Sequence, residues 1–308
     1  MHLNQNMDNK PLVSVLMTSY NRQQFIAEAI ESVLDSTYSN FELIIVDDCS
    51  TDDTVAIAQA YQEKDKRVQI FVNEENIGDY PNRNKAASYA RGKYLKYVDS
   101  DDTITVDGLE RMVQAMEAFP AAAFGISHFI AVEGAVYPQL LPPGEAYRQH
   151  YTGHEIFTYG PIGAIIRKDI FDRVNGFNPQ RYISDTDFWL KLSSAYPIVK
   201  MAPGLVIWRQ HPLQEYKYGN DSFSYLGLTY AMDMKYLSSS NCPLGTNEVK
   251  KIKTRLQWKH ARDILRLAFI NKKFKLAYDI FIASGLSFTQ LLYGLKYHKN
   301  AQKTFSEI

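Results

Sequence analysis

Apolar residues gather in short dense runs over the first hundred positions and in longer, periodically interrupted stretches toward the other end. Leu12 to Met17, Phe41 to Val46, Val68 to Val72 and Tyr94 to Val98 are rich in β-branched and aromatic side chains and predict four strands. Between the first two, Phe25, Ile26, Ala29, Ile30, Val33 and Leu34 form one stripe at helical spacing over residues 22–35. Val55, Ile57, Ala58 and Tyr61 mark a second helix, and a third runs from about Pro81 to Ala90 before Gly92 stops it. Strands alternating with helices in this way predict βαβ units, a parallel sheet and right-handed crossovers. Ligands of such sheets bind outside the carboxyl ends of the strands.

The pattern loosens afterwards. Val106 to Phe119 reads as a helix, with strands at Phe124 to Val132 and Ala135 to Leu140 around Glu133-Gly134. Tyr147 to Tyr159 is aromatic without a period, as in a mobile lid. A strand from Gly163 to Arg167 leads to a short helix ending at Asn175-Gly176-Phe177, and Asp185 to Tyr196 is helical with Phe188, Trp189 and Leu192 inward. A strand pair broken at Pro203-Gly204 fills Val199 to Trp208, and Phe223 to Leu237 is helical. Two or three amphipathic helices follow Glu248. The expected organisation is a disordered stretch over 1–10, a catalytic domain over 11–215 (halves 11–102 and 103–215) and a helical region over 216–308.

Composition narrows the classes. With 34 basic and 34 acidic residues, no overall charge points to nucleic acid. The balance conceals a split: residues from Glu248 onward carry 13 Lys and Arg against 4 Asp and Glu, which leaves the body acidic. Cys49 and Cys242 make neither a disulfide framework nor a metal-ligand spacing. Ile280 to Leu295, interrupted by Ser284, Ser287, Thr289 and Gln290, is too short to span a bilayer. A cytoplasmic protein, soluble or peripheral, is expected.

The chemistry sits where the strands end. Asp99, Asp101 and Asp102 put three carboxylates into four residues after the fourth strand. Like charges so close repel unless a cation lies among them, and hard oxygen ligands suit Mg²⁺ or Mn²⁺. The alternative is an acidic loop capping the next helix. Thr18-Ser19-Tyr20-Asn21 and Asp47-Asp48 end the first two strands, so a nucleotide-diphosphate site is indicated. Neither a P-loop nor a Gly-x-Gly-x-x-Gly turn follows the first strand, which counts against NTPases and dinucleotide enzymes.

These residues resemble family 2 glycosyltransferases of the GT-A fold, among them spore-coat-type relatives. The resemblance rests on Val13 to Asn21, Ile45 to Thr54, Asn76-Ile77-Gly78, Arg83-Asn84, Gly92 to Leu95 and Asp99 to Asp102, and more loosely on Ile183 to Leu192. It implies an α/β GT-A domain with a mostly parallel central sheet flanked by helices, and a C-terminal helical extension. It implies inverting transfer of a sugar from a nucleotide-diphosphate donor to a glycan or lipid-linked acceptor in bacterial surface polysaccharide synthesis. Thr18, Tyr20 and Asn21 would line the nucleoside pocket, and Asp48 would accept from the base, as uracil requires, while Asp47 orients its turn. Asp99 would face the ribose or a metal-bound water, Asp101 would ligate the metal, His211 would reach the metal or the phosphates, and Arg83 the pyrophosphate or sugar. Asp185 matches the general base, with Asp187 as its rival and Ser184 standing where the family has Glu. Asn175-Gly176-Phe177 resembles the acceptor-side Gly-Gly-Phe turn, since Asn tolerates the left-handed backbone.

Other readings stay open. A nucleotidyltransferase would want a Gly-rich, Arg-containing loop after the first strand, which is missing. A silent nucleotide-sugar-binding or scaffold subunit would not need both Asp101 and Asp185. Asp52 and Asp53 read as first-turn helix acids, and His128, His150 and His154 as loop or core residues. The basic C-terminal helices fit an anionic membrane or a solvated face packed on the domain or another subunit.

Overall fold

The computed structural model describes residues 10–127, 134–211 and 214–296. Of the stretch 1–10 expected to be disordered, residues 1–9 lie outside them, as do positions 128–132 of the expected strand Phe124 to Val132, His128 among them. The chain forms two compact units. The first comprises Tyr159–Phe188, Tyr196–Gln210 and the described part of Met1–Pro142, and the second Pro143–Thr158, Trp189–Ala195 and the described part of His211–Ile308.

In the first unit the four early strands form as expected: β1 (Val13–Ser19), β2 (Phe41–Asp47), β3 (Val68–Val72) and β4 (Tyr94–Tyr97). They pair in parallel in the order β3-β2-β1-β4, with Leu16 opposite both Ile44 and Tyr97. The intervening helices are α1 (Ile26–Leu34), α2 (Thr54–Gln62) and α3 (Asp79–Tyr89). Ile26, Ala29, Ile30 and Val33 of α1 are fully buried, and each large side chain so buried contributes about 1.5–3 kcal/mol. Every residue of β2 is buried, which is why Leu43 to Val46 is a continuous apolar run and not an alternation.

Beyond β4 the sheet becomes mixed. After the short β5 (Thr103–Ile104) and α4 (Gly108–Ala118), the strands are β6 (Phe124–Ser127), β7 (Gln139–Leu141), β8 (Ala164–Arg167) and β9 (Ile198–Met201). They extend the sheet in the order β4-β8-β6-β9-β7, with β8 antiparallel to both its neighbours. The parallel half therefore carries the predicted nucleotide rim. β10 (Val206–Ile207) pairs with β5 in a separate two-stranded ribbon just beyond the acidic loop. Helix α6 (Lys168–Arg173) follows β8.

The second unit is helical. The first part of the stretch Tyr147 to Tyr159, expected to be an irregular lid, is instead helical, with Pro143–Gln149 running into a π-helical turn, His150–His154. Its aromatics explain the correction: Tyr147, Tyr151 and Phe157 are buried, so they are packing groups. The Tyr147 hydroxyl donates to the Leu190 carbonyl at 2.9 Å, and the Tyr151 hydroxyl to Asp233 Oδ1 at 3.3 Å. The remaining helices, counting Pro143–Gln149 as α5 and Ser184–Ser193 as α7, are α8 (Glu215–Asp221), α9 (Ser224–Leu237), α10 (Thr246–Phe269), α11 (Phe274–Ser284) and α12 (Phe288–Tyr293). Among the described residues no helix is long and apolar enough to cross a membrane.

Candidate active site

The loops after β1 and β2 are stitched together by short polar side chains. Asp47 is fully buried and accepts from Ser19 Oγ (2.7 Å), Ser50 N (2.7 Å) and Ser50 Oγ (2.6 Å), so it sets the shape of both strand ends. Asn21 and Cys49 adopt the left-handed conformation, φ +52° and +66°, an unusual backbone for residues other than glycine. Asn21 Oδ1 compensates by accepting from Thr51 N at 2.9 Å. Asp52 accepts from Thr54 N at 3.0 Å and Gln23 N at 3.2 Å, as a helix-entry acid does. On this braced rim Thr18 is half-buried and Tyr20 is 46% exposed, so packing does not hold the tyrosine ring.

Asp48 is 3% exposed and gathers the third strand's exit around itself. It accepts from Asn73 Nδ2 (2.7 Å), Ile77 N (2.9 Å) and Gly78 N (2.8 Å). A carboxylate offers about four acceptor positions, so these three bonds leave room for one more donor. Gly78, at φ +87°, makes that turn and opens α3.

At the exit of β4 the three carboxylates diverge. Asp99 Oδ1 takes Arg83 Nη1 at 2.6 Å, Asp101 Oδ2 takes Arg22 Nε at 2.9 Å, and Asp102 Oδ1 accepts from Arg209 N at 2.9 Å. Asp102 is buried. Burial pushes its carboxyl up to about 8, the Asp99 and Asp101 charges add to the rise, and the Arg209 N–H opposes it. Arg83 is itself buried, and its Nε also reaches Asp79 Oδ1 at 2.8 Å. Burial disfavours its charge, but the Asp79 and Asp99 carboxylates outweigh that and hold the guanidinium well above its usual range.

Asp185 belongs to the same neighbourhood. It stands in the first turn of α7, where its Oδ1 accepts from Thr186 N at 2.7 Å, and a Cβ placed on Gly160 would lie 3.9 Å from its Oδ2. Burial pushes its carboxyl up to about 7; the Thr186 N–H and Arg83 pull it back and Asp79 adds to the rise. Tyr80, buried beside it, is raised by burial and then by the Asp185 and Asp79 charges. Asp187 is engaged differently: its Oδ2 accepts from Asn178 Nδ2 at 2.6 Å, which pins the preceding turn. Ser184 is buried and donates to the Asn178 carbonyl at 2.5 Å, so the residue replacing the family's Glu serves the same turn. Asn175 and Gly176 are both left-handed (φ +59° and +63°), and Asn84 bonds the Phe177 backbone from both sides at 2.7 and 3.0 Å.

Several participants were not singled out from sequence. Arg22 directly follows the Thr18–Asn21 cluster, and that adjacency was its signal. Asp79 and Tyr80 open α3 just after the Gly78 turn. Lys96 is the least expected: it is fully buried in β4, its Nζ donates to the Ile162 carbonyl, and burial lowers its pKa to about 7 while Asp99 and Asp102 oppose the shift. His211 lies in the second unit, where its backbone N–H donates to Gln214 Oε1 at 3.2 Å. His150 is buried in that unit and accepts from Phe157 N at 3.3 Å, in keeping with a core role.

Among the described residues no three His, Cys, Asp or Glu side chains converge as a ready metal cage. The donor set nevertheless fits a hard divalent cation bound together with a diphosphate, because Mg²⁺ commonly takes one or two carboxylates and completes its shell with phosphate and water.

Comparison with known proteins identifies the family. The model for "Glycosyl transferase family 2" matches residues 14–174. Over 107 residues the chain is 46% identical to the putative teichuronic acid biosynthesis glycosyltransferase TuaG of Bacillus subtilis, covering 35% of this chain and 42% of that relative. It thus spans well under half of that protein's length. Among solved structures, residues 1–349 of S. aureus TarS with UDP superpose with a TM-score of 0.64 at 19% identity, covering 96% of this chain and 91% of that one. A mannosyltransferase from Pyrobaculum calidifontis in complex with GDP-Man and Mn²⁺ also gives 0.64, at 15% identity and 97% and 84% coverage. These structural likenesses show the fold, the GT-A arrangement expected from the sequence.

Proposed function

Because this chain belongs to glycosyl transferase family 2, we propose that it moves a sugar from a nucleotide-diphosphate donor to an acceptor hydroxyl, with inversion, in bacterial surface polysaccharide synthesis. The observation that carries the reading is the joining of the predicted base to the donor rim: Asp185 lies in the field of Arg83, which is bonded at 2.6 Å to Asp99. A UDP-sugar is the favoured donor, since Asp48 retains an acceptor position that a uracil N–H can fill. Tyr20 offers an exposed ring for the base to stack on, with Thr18 and Asn21 beside it. Mg²⁺ or Mn²⁺, held by Asp101 with Asp99 nearby, would supply positive charge to the departing diphosphate.

In this reading the acceptor oxygen bonds to the anomeric carbon as the bond from that carbon to the diphosphate oxygen breaks. Asp185 takes the acceptor proton. A carboxyl raised to about 7 is half ionised near neutral pH, where a general base is most effective. Arg83 keeps its charge under burial and fixes Asp99 in place. The acceptor is a glycan or lipid-linked sugar, and the enzyme works at the inner face of the membrane, a reading supported by the basic helices after Glu248.

A thermal-shift screen of nucleotide sugars with Mn²⁺ tests the donor, because a ligand selective for the native state raises its apparent stability. A UDP-sugar should stabilise the protein only with metal, and Asp101→Asn should abolish the shift. Equal shifts without metal would remove Asp101 from this role, and hydrolysis of the bound donor would separate an enzyme from a silent binding subunit.

A further inference from the structure

The two basic stretches of the C-terminal region differ in what surrounds them. Along α10, Ile252, Ala261, Ile264 and Leu267 are buried, and the last three share a core with Tyr230, Ala277 and Leu286. Its lysines therefore decorate the wet side of a bundle helix. The turn after α10 is otherwise. Phe269 is 70% exposed, Ile270 68% and Phe274 61%, with the two phenylalanine rings edge to face at 6.2 Å. Lys272, Lys273 and Lys275 are exposed among them.

The exposed apolar surface continues along α11. Phe274, Tyr278 and Ile282 recur every fourth residue as an outward stripe, while Ala277, Ile280 and Phe281 pack inward. Phe288 and Leu292 of α12 repeat the pattern at 70% and 50% exposure. Large apolar side chains so concentrated on one unit of a protein mark an interaction surface.

We propose that the α10–α11 turn and the outer stripe of α11 dock on an anionic phospholipid surface. Charge selects this occupant. From Leu265 to Leu295 there are four basic residues and one acid, Asp279, so the apolar turn is flanked by cations. A second copy meeting this surface through a two-fold axis would set the lysines against themselves, and like-charge juxtaposition opposes that contact. An anionic bilayer takes the rings into the acyl boundary and the ammonium groups into the phosphate layer. The inference deepens the membrane-side reading above and rests on it for its purpose, since a lipid-linked acceptor would be met at that surface.

The test is cosedimentation of the full chain with vesicles of phosphatidylglycerol and phosphatidylcholine, against phosphatidylcholine alone, at low and physiological salt. The protein should pellet with the anionic vesicles only, less so as salt rises. K272Q/K273Q/K275Q should weaken binding on the order of a hundredfold, from about 1 kcal/mol for each lysine near such a surface. F269S/F274S should release the protein at equal charge. Wild type left in the supernatant, or pelleting untouched by both variants, overturns the proposal. So does a concentration-dependent dimer that F269S/F274S dissolves while no vesicles are bound. The metal-dependent shift with a UDP-sugar, read on the same preparations, reports on the donor site separately, so failure of one reading is distinguishable from failure of the other.

Discussion

Arg22 Nε donates to Asp101 Oδ2 at 2.9 Å. The carboxylate at the exit of β4, the position from which a metal would be held, is thus neutralised by a side chain of the loop that follows β1. The same guanidinium donates to the carbonyls of Tyr20 and Asn21 at 3.1 and 3.2 Å, so it connects the loop after β1, the proposed nucleoside loop, with the acidic corner. Removing the competing cation should change metal affinity before any substrate is present.

Arg22→Gln should therefore bind Mn²⁺ more tightly in the absence of nucleotide. A partly exposed ion pair is worth about 1 kcal/mol at most, so the gain should be about fivefold or less. Electron paramagnetic resonance of free Mn²⁺ measures it directly. Unchanged or weaker binding would mean that Arg22 does not compete for Asp101.

The proposed role of Asp185 as base has a signature in pH. Its folded-state value of about 7 lies above the ordinary carboxylate, so folding favours the protonated form and the stability it contributes declines as pH rises from about 4 toward 7. Catalysis needs the opposite form. Turnover should rise with unit slope through about pH 7 and then level. Asp185→Asn should keep donor affinity, melt at the same or a higher temperature at pH 8, and lose transfer by about 100- to 10,000-fold. Asp187→Asn should instead weaken the bond to Asn178 Nδ2, with a stability cost of about 1 kcal/mol and turnover largely kept. Retained turnover in the first variant would move the base elsewhere.

The early sheet was legible because β1, β2 and β3 are dense apolar runs with turn chemistry at each end, and α1 shows one clear stripe. The carboxylates of the candidate site could be picked out because they stand at strand ends, where solvation or a ligand must account for them. Their partners could not. Asp79 and Arg83 pair at helical i,i+4 spacing within α3, but Asp99 reaches Arg83 from the exit of β4, and nothing in local spacing announces that second meeting. Tyr147 to Tyr159 misled because a π-helical turn has no period to detect, and its aromatics resembled those of a lid while they were filling a core. Lys96 was passed over for a related reason. The alternation Leu95-Lys96-Tyr97 suggests one wet face, yet β4 is paired on both edges and buried on both sides.

That lysine yields a prediction of its own. A folded-state value lowered to about 7 means the native protein binds fewer protons than the unfolded chain between about pH 7 and 10.5. Stability should then rise with pH across that window, with a slope of up to ~1.4 kcal/mol per unit. Lys96→Met removes the buried ammonium, keeps the length of the side chain, and should flatten the rise. It also withdraws a positive charge from beneath Asp99 and Asp102, so nucleotide without metal should bind several-fold more weakly. Melting curves from pH 7 to 10 and calorimetric UDP binding check the two halves. A variant with the wild-type slope would show that Lys96 titrates normally.

In the second unit, His260 stacks on Tyr230 with ring centroids 4.0 Å apart and planes 3° from parallel, while its Nε2 is buried with no hydrogen-bond partner among the described residues. Burial lowers its pKa to about 4, below the ordinary 6.5. The unfolded chain therefore takes up a proton between those values that the folded chain refuses, and stability falls as pH drops from about 6.5 toward 4. His150, lowered by burial to about 3, adds a loss of the same sign that continues further into acid. His260→Phe keeps the stack and removes the unsatisfied nitrogen, so at pH 7.5 it should be as stable as wild type or gain about 1 kcal/mol. Its melting temperature should fall less steeply than that of wild type from pH 6.5 to 4.5, with only His150 left of the two histidine losses. Two parallel acid profiles would place the sensitivity on another group.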